Sequence, residues 1–236
     1  MYDFDERLRS AVFDCLTPVE LALKAMLGHE LGRLDPLVHL CPALLGPGAR
    51  QKRSAAKPSQ QYQMWLDRYN KELSLSREDF VKHHQRKYGG QLPIWAAVEV
   101  MGWGSLAYLY RLSPVAVCDV ITARMKLTAA QLGSWIRALN IVRNYSAHHA
   151  RMFNRVYTLK PRLPKVETHP ELAAAKKALN RCFGQLTLIQ YLLTVLGIGD
   201  RTLLPRTLST YPDIPALPIS HMGTPKDWQT LPLWQS

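Results

Sequence analysis

Acid is what this 236-residue sequence most conspicuously lacks over its centre. Between Asp119 and Glu167 there is no carboxylate, while the same interval carries Arg124, Lys126, Arg137, Arg143, Arg151, Arg155, Lys160, Arg162 and Lys165. The whole chain sets 30 Lys and Arg against 18 Asp and Glu, a formal net charge of +12. Such an excess points to an acidic partner, nucleic acid above all. Cysteine is also sparse. Cys15, Cys41, Cys118 and Cys182 are scattered, with no C-x-x-C pair and no histidine at zinc-ligand spacing. That excludes a disulfide framework and a zinc module, and leaves reduced, mostly buried thiols. No P-loop, H-E-x-x-H or G-x-S-x-G is present, so the usual signatures of phosphate-loop enzymes, zinc proteases and serine hydrolases are missing. No apolar run reaches the roughly 18–20 residues of a membrane span, and no signal peptide opens the chain. A cytoplasmic protein without membrane contact or cofactor is the expectation. Nothing alternates for long at strand period, and 47% of the residues are hydrophobic. The fold class is therefore all-α, with enough apolar surface for a substantial core.

The stretch Trp135 to Arg155 organises the rest. It contains no glycine, proline or acidic residue, and its apolar positions recur at helical spacing. On a helical wheel Trp135, Leu139, Val142 and Phe153 share one face, with Ser146 and His149 between them. Asn140, Asn144, His148, Arg151 and Arg155 fall opposite, and Arg143 and Asn154 lie on a flank. A polar face made of Asn, His and Arg suits an anion better than the Lys/Glu mixture of a solvated helix.

Around it the chain reads as helices and breaks. Tyr2 to Gly28 carries the stripe Phe4, Leu8, Ala11, Val12, Cys15, Leu16, Val19, Leu23 and Met26. Asp3 and Asp5 sit at the positive end of the helix dipole, and Pro18 predicts a kink or short break near Thr17. Prolines and glycines from Asp35 to Pro58 predict a mobile loop, whose Lys and Arg either touch phosphates or are simply solvated. Amphipathic helices are expected over Tyr62–Ser74 and Phe80–Tyr88, the second stopped by Gly89-Gly90. Further helices are expected from Pro93 through the Gly102 region to Tyr110, and from Ser113-Pro114 to Met125. Thr128 to Gln131 fits a capping box that opens the central helix. After the basic connector K-P-R-L-P-K, one long helix is expected from His169 or Pro170 to Gly197. Recurrent prolines from Pro205 onward exclude a single helix there. They predict a tail anchored by Ile214, Leu217, Ile219, Trp228 and Trp234. The expected organisation is a helical domain over residues 1–204, with a loop insertion at about 35–60, and a Pro-rich, largely irregular tail over 205–236 packed on it.

Several residues admit two readings. Glu99, alone in an apolar helix, either pairs with an Arg of the central helix or sits at a solvent edge. His149, on the apolar side of the wheel, reads as a buried, hydrogen-bonded core histidine more readily than as a catalyst. His83-His84 resembles a metal pair, but adjacent helical residues diverge by about 100°, so a basic surface patch fits better, and no metal site is expected. Arg143 and His148 are five residues apart, roughly 140° around a helix and about 7.5 Å along it. Long side chains can converge on one phosphate from there. Histidine suits proton transfer near neutrality and arginine suits a phosphate. On composition alone a basic face of this kind binds nucleic acid more often than it cleaves it.

The block R-N-Y-S-A-H-H-A-R-M-F-N-R resembles the R-N-x-x-A-H-H-x-R-x-x-N-R signature of the bacterial abortive-infection (Abi-like, AbiD/AbiF-type) family. That family belongs to the HEPN superfamily, whose hallmark is R-x(4–6)-H on a helix. Y-D-F-D-E-R-L-R, K-Y-G-G-Q-L-P-I-W-A-A-V-E-V-M-G-W-G-S-L and M-G-T-P-K-D-W-Q-T-L-P-L-W also look like family blocks, which extends the likeness over nearly the whole chain. Family members usually carry a further segment before the F-D-x-x-L-R block, where this chain begins, so a short or truncated form is expected. The resemblance implies a HEPN-like helical bundle, a homodimer with a composite active site, and metal-independent RNA cleavage that leaves a 2′,3′-cyclic phosphate. It also implies a role as a toxin in anti-phage defence or a toxin–antitoxin pair. By position, Arg143 and His148 match the catalytic pair and Asn144 the polar residue after the Arg. His149, Arg151, Asn154 and Arg155 match the family's extension. The expected RNA-contacting set is Arg151, Arg155, Asn154, Asn140, Arg137 and Lys160, with His149 and Glu99 in support. RNA is the expected partner, as substrate and as a small cognate RNA. The rival reading is a non-catalytic protein that holds a small RNA on the same face.

Overall fold

A computed structural model describes residues 1–51 and 54–235. Among these residues there are ten α-helices and one two-stranded antiparallel sheet, so the chain is all-α. Contacts divide it into two compact units, Met1–Glu20 with Ala130–Ser236, and Leu21–Ala129. Helix α1 (Tyr2–Gly32) contributes to both.

In the first unit, Phe4, Leu8, Val12, Cys15, Leu16 and Val19 of α1 are all essentially buried, as the apolar stripe requires. The helix runs through Pro18 without a break. Proline removes one backbone N–H, but the buried side chains on either side hold the helix across that gap. Helix α7 (Ala129–Ala147) buries Leu132, Trp135, Leu139, Val142 and Ser146. Trp135 Nε1 donates to the Arg162 carbonyl at 2.7 Å, and the Trp135 ring meets Tyr191 edge-on at 5.4 Å. The basic connector is thereby stapled to α7, and Ser134 Oγ accepts from the Arg162 N–H at 2.7 Å.

The expected helix from Pro170 to Gly197 is instead a 3₁₀ turn at Pro170–Leu172, α8 (Ala173–Lys177) and α9 (Cys182–Leu196). The break comes where the backbone folds onto itself. A Cβ at Gly184 would collide with the Ala178 carbonyl, and the Asn180 carbonyl leaves the helix to accept from Tyr157 N–H. Gly197, at φ 64°, closes α9 in the left-handed region, as its position at the end of the Leu-rich run suggested. Helix α10 (Leu203–Ser209) follows, including Pro205. The remaining tail is irregular apart from two 3₁₀ turns. Its anchors are Met222, Trp228, Leu233 and Trp234, and Trp234 stacks on Phe183 at 4.7 Å. Ile214, Leu217 and Ile219, expected among the anchors, are only half-buried.

In the second unit the region read as a mobile loop has structure of its own. Two 3₁₀ turns (Val38–Leu40 and Pro47–Ala49) precede β1 (Arg50–Gln51), which pairs with β2 (Ser54–Pro58). The basic residues Lys52 and Arg53 of that expected loop lie outside the described residues. Helix α2 (Gln60–Leu75) starts at Ser59, whose hydroxyl accepts from Tyr62 N–H at 3.1 Å. It packs on α5 (Trp103–Leu112) through Trp65, whose Nε1 donates to the Ser105 carbonyl at 3.0 Å. Between them come α3 (Asp79–Lys87) and α4 (Ile94–Val100), and after them α6 (Val115–Ala123). The apolar segment after Pro93 is two helices, α4 and α5, rather than one. Among the described residues no single helix is long and apolar enough to cross a membrane.

Candidate functional site

Helix α7 ends at Ala147, well short of the expected Arg155. His148 still donates its backbone N–H to the Asn144 carbonyl at 3.0 Å, and Ala150 N–H reaches back to the Tyr145 carbonyl at 3.0 Å. That second bond, with His149 at φ 55°, is the pattern of a Schellman C-cap, with His149 in the left-handed position usually taken by glycine. The chain then leaves the helix axis because two backbone donors are captured elsewhere. Met152 N–H and Phe153 N–H donate to Asp5 Oδ1 at 3.1 and 2.6 Å. Asp5 is 6% exposed and is also paired with Arg9. The carboxylate read as a partner of the helix dipole in fact clamps the segment after the motif.

This geometry relocates several expected residues. Phe153 is buried, but in the turn rather than on α7. His149, expected in the core, is exposed, because the left-handed turn swings it off the apolar stripe. Arg137, Asn144 and His148 are exposed and Asn140 is partly so. At 100° per residue these four fall within about 80° of one another on α7. His148 and Asn144 have no side-chain hydrogen bond among the described residues, so both are free to meet a ligand.

Arg143 lies about 140° round from His148. Its side chain is 31% exposed, its Nε is 3.9 Å from Glu20 Oε2, and its guanidinium lies over the Phe13 ring at 5.7 Å. Carboxylate and ring together orient the guanidinium. The expected partner Glu99 is exposed in the second unit, where its backbone carbonyl accepts from Lys24 at 3.2 Å. Of the two readings of Glu99, its exposure matches the solvent-edge one. Glu20 and Phe13 were missed by sequence reasoning, since both lie more than 120 positions away and neither breaks the pattern of α1.

After the turn, Arg155 stacks on the Tyr145 ring at 4.0 Å, and its Nε donates to the Arg151 carbonyl at 2.6 Å. Asn154 is also left-handed, at φ 48°, and its Oδ1 accepts from Arg181 Nη1 at 3.3 Å. Arg151 and Lys160 are exposed. The motif thus presents an exposed imidazole and amide at the end of α7, one oriented guanidinium about 140° round the helix from His148, and further cations on the following turn. Such a set can bind a phosphate through arginine and move a proton through histidine.

The family model for Abi-like proteins matches residues 1–154, about two thirds of the sequence. The chain belongs to the Abi-like family. No curated protein and no solved structure matches it. The Abi-like match ends within the signature, one residue before Arg155, so the C-terminal block and the tail lie beyond it. It does include the F-D-E-R-L-R block, and the clamp accounts for that pairing of an early and a late motif: Asp5 and Arg9 hold the backbone that follows His148-His149.

Other chemistry is weak here. Burial pushes the Cys15 and Cys182 thiols up to about 12 and Cys118 up to about 11. None is poised as a thiolate nucleophile. His83 and His84 sit beside Tyr88 on α3, and His84 Nδ1 contacts the Phe80 carbonyl at 2.8 Å. Among the described residues no group of three His, Cys, Asp or Glu is placed to hold a metal ion.

Proposed function

We propose that this abortive-infection protein is a metal-independent endoribonuclease of the HEPN type. The observation that carries the reading is an oriented guanidinium at Arg143, in the last turns of α7, with an exposed imidazole at His148 just past its end that makes no side-chain hydrogen bond among the described residues. In this mechanism Arg143 binds the scissile phosphate and stabilises the charge that builds on its oxygens. His148 takes the proton from the 2′-hydroxyl as that oxygen attacks phosphorus, or delivers one to the departing 5′ oxygen. The product is a 2′,3′-cyclic phosphate and a free 5′-hydroxyl. Asn144, one turn before His148 on the same side, positions the phosphate or the imidazole. Each chain offers one such histidine, so a base and an acid together call for two copies, which supports a homodimer with a composite site. A toxin role in defence, held in check by a cognate RNA or antitoxin, follows from the same reading.

Purified wild type and His148→Ala are incubated with total cellular RNA in EDTA, and the new ends are mapped. Wild type leaves cyclic-phosphate ends, and His148→Ala loses about 10²–10⁴-fold in rate, the usual cost of removing an acid–base group. Equal cleavage by both proteins refutes the assignment. A second reading, a protein that only holds RNA, draws on the exposed cations Arg137, Arg151 and Lys160. It expects salt-sensitive binding that survives His148→Ala, with no new ends.

A further inference from the structure

Two cavities beside the motif share Asn154 as a wall. The larger, about 510 Å³, is lined by Tyr2, Phe153 and Leu217 and by Arg9, Arg151 and the His149 imidazole. The smaller, about 400 Å³, is lined by Arg181, Ser220 and His221. Both volumes lie within the roughly 300–1,000 Å³ of small-molecule sites. The one carboxylate in the lining, Asp5, is already occupied by Arg9 and two backbone N–H groups. It therefore does not cancel the charge of Arg151.

The two cavities differ in what they recognise. The smaller offers a guanidinium, a hydroxyl and an imidazole, a donor set suited to a phosphate. The larger combines apolar and aromatic side chains with two guanidinium groups, which suits an aromatic ring carrying acceptor atoms. Asn154 is held between them in a left-handed conformation, with its Oδ1 committed to Arg181. Its amide N–H groups remain to offer. A strained non-glycine residue fixed by a side-chain bond at a cavity wall is the kind of feature that functional sites retain.

We propose that these cavities hold one nucleotide unit of single-stranded RNA, with the base in the larger and its phosphate in the smaller. Arg181, His221 and Leu217 are then substrate-positioning residues. The inference rests on the ribonuclease reading and deepens it, by adding a subsite six residues beyond His148.

The test uses the full chain carrying His148→Ala, which keeps RNA intact during titration. Fluorescent single-stranded RNA is bound with and without competing nucleoside 5′-monophosphates or inorganic phosphate. The expected result is competition by a nucleoside monophosphate at concentrations where inorganic phosphate has no effect. Arg181→Ala, His221→Ala and Leu217→Asp are each expected to weaken RNA binding at least five-fold. His221 is exposed, so its variant reports on binding even if another substitution disturbs folding. Unchanged RNA affinity in all three variants overturns the subsite, and phosphate competing as well as the nucleotide overturns the base cavity. The ribonuclease reading is scored apart, on the ends produced by otherwise wild-type protein. Cleavage with unaffected subsite variants sinks the subsite alone, and weakened variants without any cleavage sink the nuclease alone.

Discussion

Replacing Asp5 with alanine should release the segment that follows the motif. The carboxylate, on a residue 6% exposed, accepts Met152 N–H and Phe153 N–H and pairs with Arg9. Removing it strands two buried donors at about 1–3 kcal/mol each, and the Arg9 guanidinium loses its partner as well. The expected loss of folding stability is about 3–5 kcal/mol, a large share of the roughly 5–15 kcal/mol of a typical domain. Asp5→Asn keeps one carbonyl acceptor in place and gives up the charge-assisted part, so its expected loss is smaller, about 1–2 kcal/mol. Urea unfolding followed by circular dichroism measures both, and an unchanged slope identifies a stability effect rather than a change of native compactness. A loss below about 1 kcal/mol for Asp5→Ala would refute the clamp, because two orphaned buried amides cannot cost so little. Equal losses for Asn and Ala would refute the ordering, by making the remaining acceptor irrelevant.

Two further outcomes follow from local geometry. His149 occupies a left-handed C-cap, so His149→Gly is expected to leave stability unchanged or raise it by up to about 1 kcal/mol, while His149→Val loses about 1–2 kcal/mol. Thermal melts of the two variants decide it, and a Val variant as stable as wild type contradicts the left-handed assignment. His39 is fully buried against Trp65 and Tyr69 with neither ring nitrogen hydrogen-bonded among the described residues, and burial lowers its pKa to about 4. The unfolded chain therefore takes up the proton first. Stability is unaffected above pH about 6.5 and falls by up to about 3 kcal/mol as the pH drops to about 4. His39→Leu should flatten that slope in urea titrations across the range, and an unchanged slope contradicts the assignment.

What could be read from the sequence was the part governed by short-range periodicity. The α1 stripe, the Gly197 stop and the buried face of α7 all follow from neighbours three or four residues apart. The end of α7 could not be read that way. Nothing between Trp135 and Arg155 breaks a helix, and the capture that ends it comes from Asp5, 147 positions before Met152. The carboxylate beside Arg143 could not be read for a related reason. Glu99 stands out as the single charge in an apolar helix, whereas Glu20 is one of many polar residues on α1. The break between α8 and α9 turns on Gly184, which looks like an ordinary small residue until the Ala178 carbonyl is seen against it.

The division of the chain has a consequence for its synthesis. Residues 21–129 form one compact unit from contiguous sequence, whereas the other unit joins the first twenty residues to everything after 129. Domains tend to fold as they emerge from the ribosome. The inner unit has all its parts while translation is still under way. Asp5 and Glu20, made first, must wait for the turn around Met152 and Arg143, and Phe183 must wait for Trp234. The guanidinium and imidazole of the motif are thus assembled late, after the greater part of the polypeptide has left the exit tunnel.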